Sequence, residues 1–169
     1  MLETPEELRR LQALLDASMA DAGTHLRSII SDERRLDARQ LADRLTGMRL
    51  LVLATVTADG RPVGGPVDGY FLHGTFWFSS GTESVRMRHL AARPEVSATH
   101  LPGENLAVTV HGRAECFPIA DPACAAMRQA MLAQYLPTQG PSFEEWLGNA
   151  DALGARIQPD KMFTFHMAS

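Results

Sequence analysis

The sequence predicts a mainly β fold with added helices (α+β), a small antiparallel barrel of six strands preceded by a helical N-terminal segment. Three observations carry this expectation. The hydrophobic period changes from helical to extended at Leu50, and from there turn signals recur at short intervals: Asp59-Gly60, His73-Gly74 and Pro102-Gly103-Glu104-Asn105. The chain has 169 residues and is 45% hydrophobic, enough for one domain with a real core and too short for two comfortable ones. Residues 1–48 therefore read as a helical segment packing on the barrel or on a partner, and residues 49–169 as the barrel domain.

The helical segment opens at Thr4-Pro5-Glu6-Glu7, with Thr4 as N-cap, proline at the first helical position and Glu7 placed to close a capping box. Leu8, Leu11, Leu15 and Met19 recur at helical spacing and give one apolar stripe, ending near Gly23. A second capping box at Asp37 and Gln40 opens a helix that closes at Gly47, with Leu41, Leu45 and Met48 facing inward. Neither helix carries a catalytic constellation.

Leu50 to Val56 reads as a buried strand, and Ala58-Asp59-Gly60-Arg61 as a hairpin turn. The second strand, Arg61 to Leu72, contains Gly64, Gly65, Pro66 and Gly69. That set suits barrel corners and bulges, and equally a strand against which a planar ligand lies flat. Phe76, Trp77 and Phe78 form a third, aromatic strand. Val96 to His100 and Leu106 to Glu115 alternate as a fourth and a fifth, with Leu106, Val108 and Val110 on one face. Asp121-Pro122 opens a helix through Tyr135, a short helical stretch spans 143–153, and Lys161 to Met167 completes the barrel as strand six. The strand edges of such a barrel need cover, which a second copy of the chain would supply.

Composition excludes several function classes. A net charge of -4 offers no basic field for a nucleic-acid backbone. The longest apolar run, Leu50 to Ala54, is far below membrane-spanning length, and the acidic start MLETPEELRR is no signal peptide, so a cytoplasmic location is expected. Cys116 and Cys124 read as reduced thiols, and no Cys/His spacing suits a metal. There is no Ser/His/Asp arrangement, GxGxxG after a strand, or GxxxxGK[ST].

The stretch with chemical character is Phe76 to Pro94, FWFSSGTESVRMRHLAARP: strand, hydroxyl-rich loop, then a helix that starts at Val85 and stops before Pro94. The first helical turn favours acids, because unsatisfied N–H groups and the macrodipole make it locally positive, yet Arg86 and Arg88 stand there. An anion resolves the anomaly. Backbone N–H groups, the hydroxyls of Ser79, Ser80, Thr82 and Ser84, and the Arg86 guanidinium would form a phosphate cradle; a solvated turn capped by Ser84 is the plainer alternative. His89 falls one turn after Arg86 and shares its face, whereas Arg88 points elsewhere. His100 and His111 on alternating strands read as fillers, and Asp68 as a site group or an exposed strand residue.

In order of elements, LATVTADGRPVGGPVDG, FWFSSGTESVRMRHLAARPEVSATH, LAVTVHGRAE and IQPDKMFTF resemble the flavin-binding split barrel of the pyridoxamine 5'-phosphate oxidase-like superfamily, over about Leu50 to Phe165. The resemblance implies that Ser79, Ser80, Ser84 and Arg86 bind a flavin phosphate, with His89 at the family's asparagine-like position. It also implies that the ring lies near Pro66, Val67 and Asp68, in a cleft between the two subunits of a homodimer. The implied cofactor is FMN, with a deazaflavin coenzyme as the alternative and haem the less favoured one, and the implied activity is flavin-dependent oxidoreduction of a small organic substrate. A non-catalytic flavin- or haem-binding protein of the same fold is the second reading. Under the first, His100 or Asp68 is a candidate proton source. Pyridoxamine phosphate oxidases resemble one another in basic residues along the second strand and in an arginine-rich C-terminal tail; here that strand is PVDGYFL and the tail is FTFHMAS, so vitamin B6 oxidation is not expected.

Overall fold

The computed structural model describes residues 2–167; the outermost ends of the two expected segments, residues 1, 168 and 169, lie outside them. Three helices, α1 (Pro5–Ala20), α2 (Thr24–Ile29) and α3 (Ala38–Arg44), precede β1 (Met48–Val56), β2 (Pro62–Leu72) and β3 (Thr75–Gly81). Then come α4 (Val85–Ala92), β4 (Glu95–Gly103), β5 (Leu106–Pro118), α5 (Ala125–Gln139), α6 (Ser142–Asn149) and β6 (Ala152–His166). All strand pairs are antiparallel, and the sheet closes as a barrel in the order β1-β2-β3-β6-β5-β4. The six-stranded barrel with added helices is the expected fold.

Local signals act where expected. Both capping boxes form, at Thr4 with Glu7 and at Asp37 with Gln40. Gly60 takes φ +83 in the first hairpin turn, a conformation that favours glycine. Leu11, Leu15 and Met19 of α1 are buried, as are Leu41 and Leu45 at α3.

Longer-range features differ from the sequence expectation. β6 begins at Ala152 and not at Lys161. Its first half carries Gly154, Gln158, Pro159 and Asp160, which have little strand propensity, and is held by ladders to β3 and β5 on either side. Gly112 of β5 sits at the register shift opposite this segment, where a Cβ would strike the Gln158 carbonyl. Because β6 takes Ala152 and Leu153, α6 ends at Asn149. α3 ends at Arg44 rather than Gly47, which lies in the turn into β1 at φ +72. α5 continues past Tyr135 and through Pro137 to Gln139, stopped by Gly140 at φ +70. β1 is buried on one face only: Leu51 and Leu53 fill the barrel, while Leu50 and Val52 are 58% and 56% exposed.

Two apolar clusters result. The barrel interior holds Phe76, Phe78, Val108, Val110, Ile157 and Met162, and the same cluster takes in Leu11, Leu15, Leu41 and Leu45 from the N-terminal helices, and Met87 and Leu90 from α4. The N-terminal helices thus bury their stripes in the core of their own chain. The second cluster lies on the outer face of β2 and β3, where Tyr70, Leu72 and Trp77 are covered by Met127 and Met131 of α5 and by Phe143 and Leu147 of α6. Each β2 side chain belongs to one face by alternation. Val67 and Phe71 point in, and Pro66, Asp68 and Tyr70 point out.

Candidate functional site

The hydroxyl-rich loop joins the end of β3 to α4. Ser79 and Ser80 lie near the end of β3, paired with Gly154 and Leu153 of β6, and by alternation their side chains fall on opposite faces of the strand. Both are half-buried, and among the described residues neither hydroxyl has a hydrogen-bond partner. The loop is pinned to the start of β6: the Thr82 hydroxyl donates to Asp151 Oδ1 at 2.7 Å and its N–H to the Asp151 carbonyl at 3.2 Å. Thr82 therefore spends its hydroxyl within the chain and leaves the expected cradle. Ser84 is the N-cap of α4, its Oγ accepting the Met87 N–H at 3.4 Å. Met87 and Leu90, almost fully buried, anchor α4 in the barrel core and so fix where its N-terminus points.

The arginines separate as expected. Arg86, half-buried, reaches β2, where its Nη2 donates to the Pro66 carbonyl at 2.9 Å. Arg88 folds back on the loop, Nη1 donating to the Glu83 carbonyl at 2.8 Å. His89 turns toward the barrel, its Nδ1 2.9 Å from the Thr55 hydroxyl, so the ring nitrogen nearest the backbone is engaged away from Arg86.

The Arg86–Pro66 bond joins the loop to the glycine-rich strand. On the outer face of β2 a Cβ on Gly64 would meet nothing nearer than Val52 at 3.9 Å, and on the opposite face, which Gly65 shares with Val67, one on Gly65 would meet only the Arg86 guanidinium at 3.6 Å. The backbone is bare there. Pro66 and Asp68 project from the outer face, whereas the Val67 side chain is inside the barrel, so that Val67 offers the site only its backbone. Asp68 has a partner that the sequence did not reveal: the Tyr135 hydroxyl of α5 donates to Asp68 Oδ2. Burial first, and then the Asp68 carboxylate, push the Tyr135 phenol above its ordinary pKa, so it stays protonated at neutral pH. Tyr70 stands beside it, buried, with no aligned hydrogen bond to its hydroxyl, and burial raises its pKa strongly. His100 is buried with Nδ1 2.9 Å from the Leu50 carbonyl, and exposed His111 pairs with the Ser97 hydroxyl at 2.7 Å. No group of side chains among the described residues has the make-up of a metal site.

Directly across from this strand, Leu50 pairs in register with Asp68 and Val52 with Pro66. With Leu101 of β4 they put an exposed apolar strip beside the glycine-rich strand. An arginine, hydroxyls at a helix N-terminus and an uncovered planar backbone lie at one end, and a carboxylate–phenol pair two residues further along. The arrangement can hold an anion with a flat body attached.

The family model for pyridoxamine 5'-phosphate oxidase matches residues 38–163. The chain belongs to this family. No curated protein sequence matches it. Among solved structures it is similar to an F420 reductase, at 23% identity and a TM-score of 0.53, covering 70% of this chain and 91% of that one. A FAD-binding protein from Mesorhizobium loti is 20% identical, with a TM-score of 0.57 over 80% of this chain and 97% of that one. The haem storage protein HutZ from Vibrio cholerae is 18% identical, with a TM-score of 0.59 over 76% and 90%. At these identities the likeness is one of fold, and the fold hosts flavin, F420 and haem proteins alike. No helix among the described residues is long and apolar enough to cross a membrane.

Proposed function

We propose that this chain is a homodimeric flavin-dependent oxidoreductase that takes FMN and acts on a small organic substrate, with Ser79, Ser80, Ser84 and Arg86 holding the phosphate. The observation that carries the reading is the Arg86–Pro66 bond, which sets the only arginine of the cradle directly over the bare strand. The residues fit the cofactor. A flavin needs charge-assisted donors for its phosphate and a flat, unobstructed surface for its ring; here the two lie side by side on α4 and β2. When bound, the flavin supplies the hydride chemistry.

The protein's own groups bind, orient and exclude water. Arg86 keeps further N–H groups for the phosphate, and its bond to Pro66 restricts the guanidinium before ligand arrives, which lowers the ordering cost of binding. Pro66, the Val67 backbone and Asp68 form the surface under the ring. His89, held on Thr55, completes the helix face beside Arg86. The exposed strip of Leu50, Val52 and Leu101 supports a second copy as the cover that dries the site. Asp68 holds the Tyr135 hydroxyl, so this pair, rather than buried His100, is placed to exchange a proton with substrate at the phenol oxygen.

The absorbance spectrum of the purified protein tests the cofactor. Oxidised flavin bands at about 370 and about 450 nm are expected. A single violet-edge band would replace FMN with the deazaflavin coenzyme, which brings phosphate to the same cradle, and a Soret band would replace it with haem. A colourless protein that takes up none of the three on titration overturns the reading.

A further inference from the structure

Away from the hydroxyl-rich loop, a cleft of about 820 Å³ opens on the outer face of β3 and β6, between α1 and the start of α5. None of Ser79, Ser80, Ser84, Arg86, Pro66 or Asp68 lines it. Trp77 lies in its lining, with Leu11 and Leu14 of α1 on one side and Ala125 and Ala126 of α5 on the other. These side chains are apolar and, on the α5 side, small, so the cleft suits a flat or short hydrocarbon body.

Its charges are arranged for an anion. The Arg156 guanidinium stacks over the Trp77 ring, 5.6 Å from the centroid, and Glu115 Oε2 accepts its Nε at 3.2 Å and its Nη2 at 2.6 Å. Stacking and ion pair together fix the plane of the guanidinium and leave its Nη1 edge without a partner among the described residues. Arg10, also in the lining, has a side chain 71% exposed and only a loose pairing with Glu6 at 3.8 Å. The one carboxylate in the lining, Glu7, is occupied on both oxygens, Oε1 by His73 Nδ1 at 3.1 Å and Oε2 by the Thr4 N–H at 2.8 Å. Two guanidiniums thus face the cleft, Arg156 paired along one edge with Glu115 and Arg10 only loosely with Glu6, and the lining itself adds one engaged acid, Glu7. The indole N–H of Trp77, a residue only 5% exposed, also lacks a partner among the described residues.

We propose that this cleft is a second ligand site, separate from the flavin loop, that binds a small amphipathic carboxylate. The apolar body lies against Trp77, Leu11 and Leu14, and the carboxylate meets the free edge of Arg156, with Arg10 at the mouth. A planar guanidinium with one edge already held matches a carboxylate better than a spherical anion.

Equilibrium dialysis of the full chain with 1-naphthoate, against the neutral 1-naphthalenemethanol of similar shape, tests this. One saturable naphthoate site per chain is expected, at least about tenfold tighter than the alcohol, because the charge-assisted contact is lost in the latter. Arg156→Gln combined with Glu115→Gln removes both ion-pair partners together and should weaken naphthoate by a similar factor; Arg10→Gln, on an exposed helix face, is the second variant should the first not fold, and should weaken it by less. Saturating FMN should leave naphthoate affinity unchanged. Equal binding of acid and alcohol, the absence of a saturable site, arginine-insensitive affinity, or displacement by FMN would each overturn the proposal.

Discussion

At the amino end of α1, the Thr4 hydroxyl accepts the Glu7 N–H at 3.2 Å, the Glu7 carboxylate accepts the Thr4 N–H at 2.8 Å, and Pro5 and Glu6 fill the first turn. At the amino end of α4, Ser84 accepts the Met87 N–H at a longer 3.4 Å, the first turn has no acid, and Arg86 stands where an acid would complement the helix dipole. Both helices are anchored by buried side chains, Leu11, Leu15 and Met19 in one and Met87 and Leu90 in the other. They differ in what is left over. α1 satisfies its terminal donors with its own side chains, and α4 leaves donors and adds a cation. The first terminus stabilises the fold, and the second is available to an outside anion.

The largest effect should come from the anchor of α4. Met87→Ala leaves a cavity in the barrel core and should cost about 2–5 kcal/mol in chemical denaturation. A loss well under 1 kcal/mol would mean that α4 is not fixed by its packing, and the contrast between the two helices would lose its basis. Next come the caps. Thr4→Ala should cost about 1 kcal/mol of stability, whereas Ser84→Ala, which breaks a weaker bond, should cost only a few tenths and instead weaken FMN. Equal stability losses with unchanged cofactor affinity would erase the distinction.

The smallest effect concerns an ion pair that belongs to neither helix terminus. The Arg156 guanidinium is the main cause that holds the Glu115 carboxyl below its ordinary pKa. A depressed folded pKa contributes stability that is present above the unfolded value and is lost as pH falls through the folded one. Both side chains are more than one-third exposed, so Glu115→Gln should cost less than about 1 kcal/mol at pH 7. Its melting temperature should converge with that of the parent in acid; a gap that widens on acidification would contradict the sign.

Short-range chemistry was readable in the sequence and long-range pairing was not. The capping boxes, the Asp59-Gly60 turn and the stop of α4 before Pro94 depend on residues three or four apart, and all are present. The first half of β6 was hidden because its sequence has the look of a loop and becomes strand only between β3 and β5. Exposure of Leu50 and Val52 was hidden for a related reason, since an apolar run does not say which of its faces the fold leaves uncovered. Within the candidate site, the proximity of Arg86 and Pro66 followed only from resemblance, and the Tyr135–Asp68 pair, 67 residues apart, left no local signal at all. Thr82 looked like part of a hydroxyl cluster until Asp151 from the far end of the chain claimed it.

The central claim is that α4 and β2 form a flavin-phosphate site through Arg86, and the most direct measurement is FMN titration of the parent protein and Arg86→Ala, followed by flavin fluorescence. Removing a charge-assisted contact should weaken FMN by about 1.5–3 kcal/mol, roughly 10- to 150-fold, while the melting temperature of the cofactor-free protein stays unchanged. Equal FMN affinity in the two proteins would contradict the account.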